Sequence, residues 1–220
     1  MATKRSYGEA CRFAHALDVV GERWGLMVVR ELLLGPKRFT DLREGLPRAS
    51  TNSLAERLRE LELRGVVRRR KLAPPAGSTV YELTEWGMEL EPIVTGLGAW
   101  GARSPFPPDS QEIGGDSIVL ALRSLFDAEA AGDLDVSYEL RLGEDRFLVA
   151  VSSGEIALSR ANGAQPDGSI ESDPGTLAAV LRGQLALDEA LAVGAIAIEG
   201  NRRSIGRFLR LFPMPEPHPP

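Results

Sequence analysis

What this 220-residue chain lacks narrows its possibilities first. It has a single cysteine, Cys11, so no disulfide can form within it, and a reducing compartment is implied. It has two histidines, His15 and His218, at opposite ends, so no Cys/His cluster has the spacing of a metal site. Long apolar runs are missing. The most apolar early stretch, Trp24 to Leu34, is broken by Arg30 and Glu31, well short of the roughly 20 residues a membrane helix needs. Residues 1–15 lack the apolar centre of a secretory leader. No Gly-rich phosphate loop, activated nucleophile or pair of catalytic carboxylates stands out, so neither enzymatic activity nor a bound cofactor is expected. Asp127 with Glu129, and Asp133 with Asp135, read as a solvated helix end and a turn. The expectation is a cytoplasmic protein that does not engage membranes.

What is present is ordinary in amount and uneven in distribution. Hydrophobic residues make up 43% and charged residues 26%, as in a soluble two-domain chain. The net charge of −5 conceals a division: residues 1–104 carry 17 basic and 13 acidic side chains, and residues 105–220 carry 9 and 18. A half of +4 joined to a half of −9 suggests that only the first meets a polyanion.

Proline marks the joints. The Pro-rich segment within 105–115 reads as a linker, and the tail 213–220 as flexible. The expected domains are therefore 1–104 and 116–212. In the first, helices are expected over Tyr7–Val20, Glu22–Leu34, Thr40–Gly45, from the cap at Ser50 or Thr51 to Arg64, and over Trp86–Arg103 with a break or start at Pro92. Two strands, Val66–Leu72 and Ser78–Leu83, flank the turn Ala73–Gly77. The second domain reads as α+β. Helices are expected over Asp116–Ala131, Thr176–Arg182, from Asp188 and from Asn201. Strands are expected over Val136–Leu142, Arg146–Ser152, Ile156–Arg160 and Ala195–Ile198. Apolar residues on both faces of Arg146–Ser152 imply a strand covered on both sides.

A short helix, a turn, a longer capped helix and two basic strands form the order of a helix-turn-helix with a wing. In the longer helix, Leu54, Leu58 and Leu61 share one face, leaving Asn52, Glu56 and Arg59 opposite and Arg57 on the flank. A recognition helix brings its N-terminal residues to the base edges, where Thr51, Asn52 and Ser53 offer short donors and acceptors. The strand residues Arg68, Arg69, Arg70 and Lys71 suit phosphate or minor-groove contact, with Lys37 and Arg38 adding backbone contacts. Phe13, Leu17 and Val20 on the first helix, and Leu90, Ile93, Leu97 and Trp100 on the last, are expected to form a homodimer interface. A dimer would match a palindromic site on double-stranded DNA.

The segments Cys11–Trp24, Arg30–Arg43, Ser53–Glu62 with Gly65-Val-Val67, and Tyr81–Gly87 together resemble the HxlR family of winged-helix regulators over about the first hundred residues. The resemblance implies a dimeric regulator with Thr51, Asn52, Ser53 and Arg57 near DNA, and with the first and last helices of this domain at the dimer interface. Arg12 stands where the family usually has proline after its cysteine. Cys11 has two readings: a redox sensor, its thiol made acidic by Arg12 and a helix start, or a small buried residue at a dimer contact.

Residues 116–212 bear a weaker likeness to sterol-carrier-type lipid-binding domains, best in Asp173–Gly183, Leu191–Gly200 and Ile205–Phe212. That likeness implies an apolar ligand between a sheet and its helices, lined by Leu122, Phe126, Phe147, Val149, Leu177, Leu181, Ile196, Ile198, Ile205 and Phe208. The same residues would serve as the core of any α+β domain. Two functions follow: a transcription regulator controlled by an apolar small molecule, or a lipid carrier whose winged helix serves only to dimerise it. The basic wing favours the first.

Overall fold

In the computed structural model, which describes residues 6–73, 77–105, 112–161, 163 and 165–219, the helix expected over Tyr7–Val20 begins only at Arg12 (α1, Arg12–Val20). The cause is tertiary. The Asp18 carboxylate accepts a bond from the Ser6 hydroxyl at 2.7 Å and from the Tyr7 amide at 3.0 Å, and Gly8 turns the chain at φ +66°. The N-terminal segment is thereby folded back toward α1 instead of extending it.

The chain divides into two units, Met1–Val94 and Thr95–Pro220. In the first, α2 (Gly25–Leu32) starts later than the expected Glu22, because Trp24 takes a left-handed conformation at φ 75°, unusual for so bulky a residue. A Cβ at Gly25 would collide with the Val20 carbonyl, so the α1–α2 junction admits only glycine there without backbone movement. Then come α3 (Phe39–Gly45), α4 (Thr51–Leu63), the hairpin strands β1 (Val67–Lys71) and β2 (Thr79–Leu83), and the short α5 (Glu85–Met88). The helix expected over Trp86–Arg103 is divided: α6 (Glu91–Ala102) starts in the first unit, one residue before Pro92, where a missing amide hydrogen is harmless, and continues into the second. The tip of the turn expected at Ala73–Gly77 lies outside the described residues.

The first core is built by Val28, Val29 and Leu32 of α2, Leu42 of α3, and Leu54, Leu58 and Leu61 of α4, with Val66, Val67, Val80 and Leu83 from the wing side, all buried. Each such side chain contributes about 1.5–3 kcal/mol on burial. Two charged groups, Glu31 and Lys37, are buried with them. Glu31 is 2% exposed and pairs with Arg30 at 2.6 Å and Lys37 at 2.7 Å.

The second unit carries α7 (Gly115–Leu125), α8 (Ala128–Ala131), β3 (Val136–Leu142), β4 (Asp145–Ser152), β5 (Glu155–Arg160), β6 (Gly168–Ser172), α9 (Pro174–Leu181), α10 (Leu187–Ala192), β7 (Ile196–Glu199) and α11 (Arg202–Leu209). The sheet order is β5-β4-β3-β6-β7, with β3 and β6 parallel and the other neighbours antiparallel. The fold class is mixed helix and sheet. The single helix expected over Asp116–Ala131 is two, because Phe126 is extended and the Asp127 side chain caps α8 through the Ala130 amide. Strand β6 escapes the sequence reading, since Ile170 is its only large apolar residue. Tyr138, Leu140 and Leu142 of β3 and Phe147, Val149 and Val151 of β4 are buried, with the ring of Tyr138 tilted 4.8 Å from that of Phe208 and Phe208 edge-on 5.2 Å from Phe212. The expectation that β4 is covered on both faces is corrected: Leu148 and Ala150 are only half-buried. Their neighbour on that face of β3, Arg141, pairs with Glu139 at 2.7 Å and with Glu199 at 3.3 Å.

The expected linker, 105–115, lies mostly outside the described residues. In the tail, the His218 amide donates to the Arg103 carbonyl at 2.7 Å.

Candidate nucleic-acid interface

Helix α4 is fixed at its start by Ser50, whose Oγ accepts the Ser53 amide at 3.2 Å and shares a 2.8 Å bond with the Ser53 hydroxyl. Ser50, not Thr51, is the cap. With Leu54, Leu58 and Leu61 turned into the core, Thr51, Asn52, Glu56 and Arg59 are exposed. Ser53 belongs to the same end, but its hydroxyl is engaged in the cap.

Two expected DNA contacts are corrected. Lys37 is buried: its ammonium serves Glu31, and its backbone pairs with Tyr81 of β2 through bonds of 3.0 and 2.8 Å. It braces the wing from inside. Arg57, on α4, is largely covered and pairs with Glu60 one turn on. Arg38 is exposed at the start of α3.

The wing is a two-stranded ribbon with Arg68 opposite Glu82, Arg69 opposite Tyr81 and Arg70 opposite Val80. Arg68, Arg69, Arg70 and Lys71 are exposed. The sequence reading missed the carboxylates that hold the arginines: Glu82 binds Arg68 and Arg70, and Glu62 at the end of α4 binds Arg69, each at 2.8 Å. Counting the hairpin register back from its turn would have placed Glu82 across from Arg68. Glu82 is drawn in two directions: burial raises its carboxyl, while the bonds and charges of Arg70 and Arg68 bring it below its ordinary value.

Among the expected dimer residues, Phe13 is 72% and Trp100 75% exposed, Ile93 and Leu97 are exposed, and Leu17 and Leu90 are half-buried. Helix α6 has no buried residue. Val20 is the exception: it is buried in its own protomer and presents nothing to a partner. Trp86 and Met88, also exposed, add apolar surface on α5 that the sequence reading did not single out.

Cys11 is exposed at the cap position of α1. The backbone amides of Ala14 and then Phe13 lower its thiol below the ordinary value, so the helix start supplies the effect expected partly from Arg12.

In the second unit, Leu122, Phe147, Val149, Leu177, Ile196, Ile205 and Phe208 are buried, and Phe126, Leu181 and Ile198 half-buried. The seven buried ones belong to the core. A groove of about 880 Å³ between α10 and α11 is lined instead by residues including Leu187, Arg202, Arg203, Gly206 and Arg210, and by none of those ten. Among the described residues no group of three or more His, Cys, Asp or Glu could hold a metal ion, and no helix is long and apolar enough to cross a membrane.

The model of a family of HxlR-like helix-turn-helix proteins matches residues 19–106. YvaP of Bacillus subtilis (strain 168), described as an uncharacterized HTH-type transcriptional regulator, is 40% identical over 93 residues, covering 42% of this chain and 86% of YvaP. The HTH-type transcriptional regulator YodB of the same organism is 36% identical over 95 residues, covering 43% of this chain and 85% of YodB. The solved reduced form of YodB is 34% identical with a TM-score of 0.41, covering 46% of this chain and 99% of that one.

Proposed function

The chain belongs to the HxlR-like helix-turn-helix family and is a DNA-binding transcriptional regulator, and we propose that it binds a palindromic operator as a cytoplasmic homodimer. The start of α4 lies at base edges in the major groove, with Thr51 and Asn52 foremost, while Arg38, Arg59, Arg69, Arg70 and Lys71 serve the backbone or minor groove. The observation that carries this reading is the exposure of Thr51 and Asn52 at a capped helix start in the same unit as a strand with four exposed basic residues. Titration of operator and random duplex DNA tests it. Arg69→Ala with Arg70→Ala should weaken binding to both by about ten- to a hundredfold and flatten the salt dependence by up to about two phosphates' worth. Asn52→Ala should reduce discrimination by about five- to a hundredfold and leave random-duplex binding nearly unchanged. If both variants behave alike, the division into backbone and base contacts is wrong.

The second unit is read as an effector domain of sterol-carrier type, supported by its five-stranded sheet and the helices over the buried face. Seven of the ten residues named for an apolar ligand are buried in the core, so a ligand among them requires the covering helices to move. Such a ligand alters DNA affinity only if it binds the DNA-competent and incompetent states unequally. The lowered thiol value supports the sensor reading of Cys11, while its exposure in the single chain suits a residue at a dimer contact equally.

A further inference from the structure

The wing arginines are held through one particular atom. Arg68 and Arg70 stand two residues apart on β1, so their side chains leave the same face of the ribbon. Glu82 offers one carboxylate oxygen to each: Arg68 Nε donates to Oε1 and Arg70 Nε to Oε2, both at 2.8 Å. Arg69, on the other face, donates its own Nε to Glu62 Oε1 at 2.8 Å. A guanidinium gripped at Nε keeps its two terminal nitrogens for another oxyanion, and that planar fork suits a phosphate. The placement agrees. The Glu82 side chain is only 12% exposed, whereas those of Arg68 and Arg70 are 64% and 48% exposed.

Resting on the reading of this ribbon as a DNA-contacting wing, we propose that Glu82 is a positioning residue for DNA binding, its carboxylate holding Arg68 and Arg70 as a pre-set pair of phosphate clamps. Glu62 does the same for Arg69 on the opposite face. Two effects of the Glu82 charge oppose each other. It repels phosphate, which weakens binding. It also fixes two long, flexible side chains before DNA arrives, which removes ordering entropy from the binding step. The carboxylate bridges the two arginines, so one charge that repels phosphate orders two cations at once.

The two effects have opposite signs, so one substitution separates them. Glu82→Gln makes the chain more positive by one charge while keeping the shape of the side chain. Full-length protein is titrated with duplex DNA at about 50 and 200 mM salt, in the native background and in one carrying Arg68→Ala and Arg70→Ala, with thermal melting to follow folding. In the native background Glu82→Gln should weaken binding by about three- to tenfold despite the added charge. Without the two arginines, the same substitution should leave affinity equal or raise it, since the carboxylate then only repels. That reversal of sign is not produced by a merely structural role. Equal or tighter binding by Glu82→Gln in the native background would overturn the proposal, as would the same loss in both backgrounds. If the arginine pair can be removed with no loss of affinity, the wing reading itself fails, and the proposal with it.

Discussion

Leu97→Glu combined with Trp100→Glu is expected to leave the protein monomeric at micromolar concentration and to lower operator affinity by about 10²- to 10⁴-fold, the range lost when two linked contacts become one. Both side chains are exposed on α6, a helix with no buried residue, so the substitutions remove apolar contact area without opening a core. An aromatic anchor such as Trp100 at the centre of an interface commonly carries 2 kcal/mol or more. Light scattering and DNA titration on the same samples provide the check, with an unchanged melting temperature as the control for folding. A dimer that survives both charges would place the interface elsewhere. Normal operator binding by a monomer would remove the need for a dimer altogether.

Glu31→Gln is expected to destabilise the first unit by about 3–5 kcal/mol, the usual consequence of removing one partner from a buried ion pair. The carboxylate lies between Arg30 and Lys37, and a Cβ at Gly45 would collide with it, so there is little space to rearrange. Replacing Glu31 and Lys37 together with Leu and Met should recover part of that loss, because the Lys37 charge is then no longer buried without a counter-charge and only the more exposed Arg30 loses its partner. Burial alone raises the Glu31 carboxyl, but Lys37 and Arg30 outweigh it, and its value in the folded protein falls below that of the unfolded chain. A lowered carboxyl stabilises the fold above the unfolded value, about 4.3, and the contribution is lost as pH falls through the folded value. The acid limb of the stability profile should therefore be shallower in Glu31→Gln. Thermal melts between about pH 3 and 7 provide the test. A variant as stable as the native chain at neutral pH would show that the buried triad is not needed to hold the wing.

The parts legible in the sequence are those set by local periodicity. Leu54, Leu58 and Leu61 repeat at helical spacing, and that repeat places both the buried stripe of α4 and its exposed face. The alternation of Phe147, Val149 and Val151 likewise gives the buried face of β4. What escaped depends on partners brought together by folding. Lys37 looks like a surface cation in its loop, and only the approach of α2 to β2 shows it serving Glu31 and Tyr81. Asp18 shortens α1 by capturing Ser6 and Tyr7, eleven or twelve residues away. The Arg57–Glu60 pair was legible, since residues three apart on a helix are neighbours, and it removes Arg57 from the exposed face. In the second unit, residues that would line a pocket and residues that would fill a core are of the same kind, and apolar pattern alone cannot separate them.

Two copies of α4 are expected to read DNA together. A genome-wide binding footprint of the full-length protein tests it most directly. Discrete sites are expected, each made of two inverted half-sites centred about 10–10.5 base pairs apart or a multiple of that, because two-fold-related recognition helices enter successive major grooves on one side of the duplex. Protection spread without sequence preference, or single half-sites bound as strongly as pairs, would contradict it.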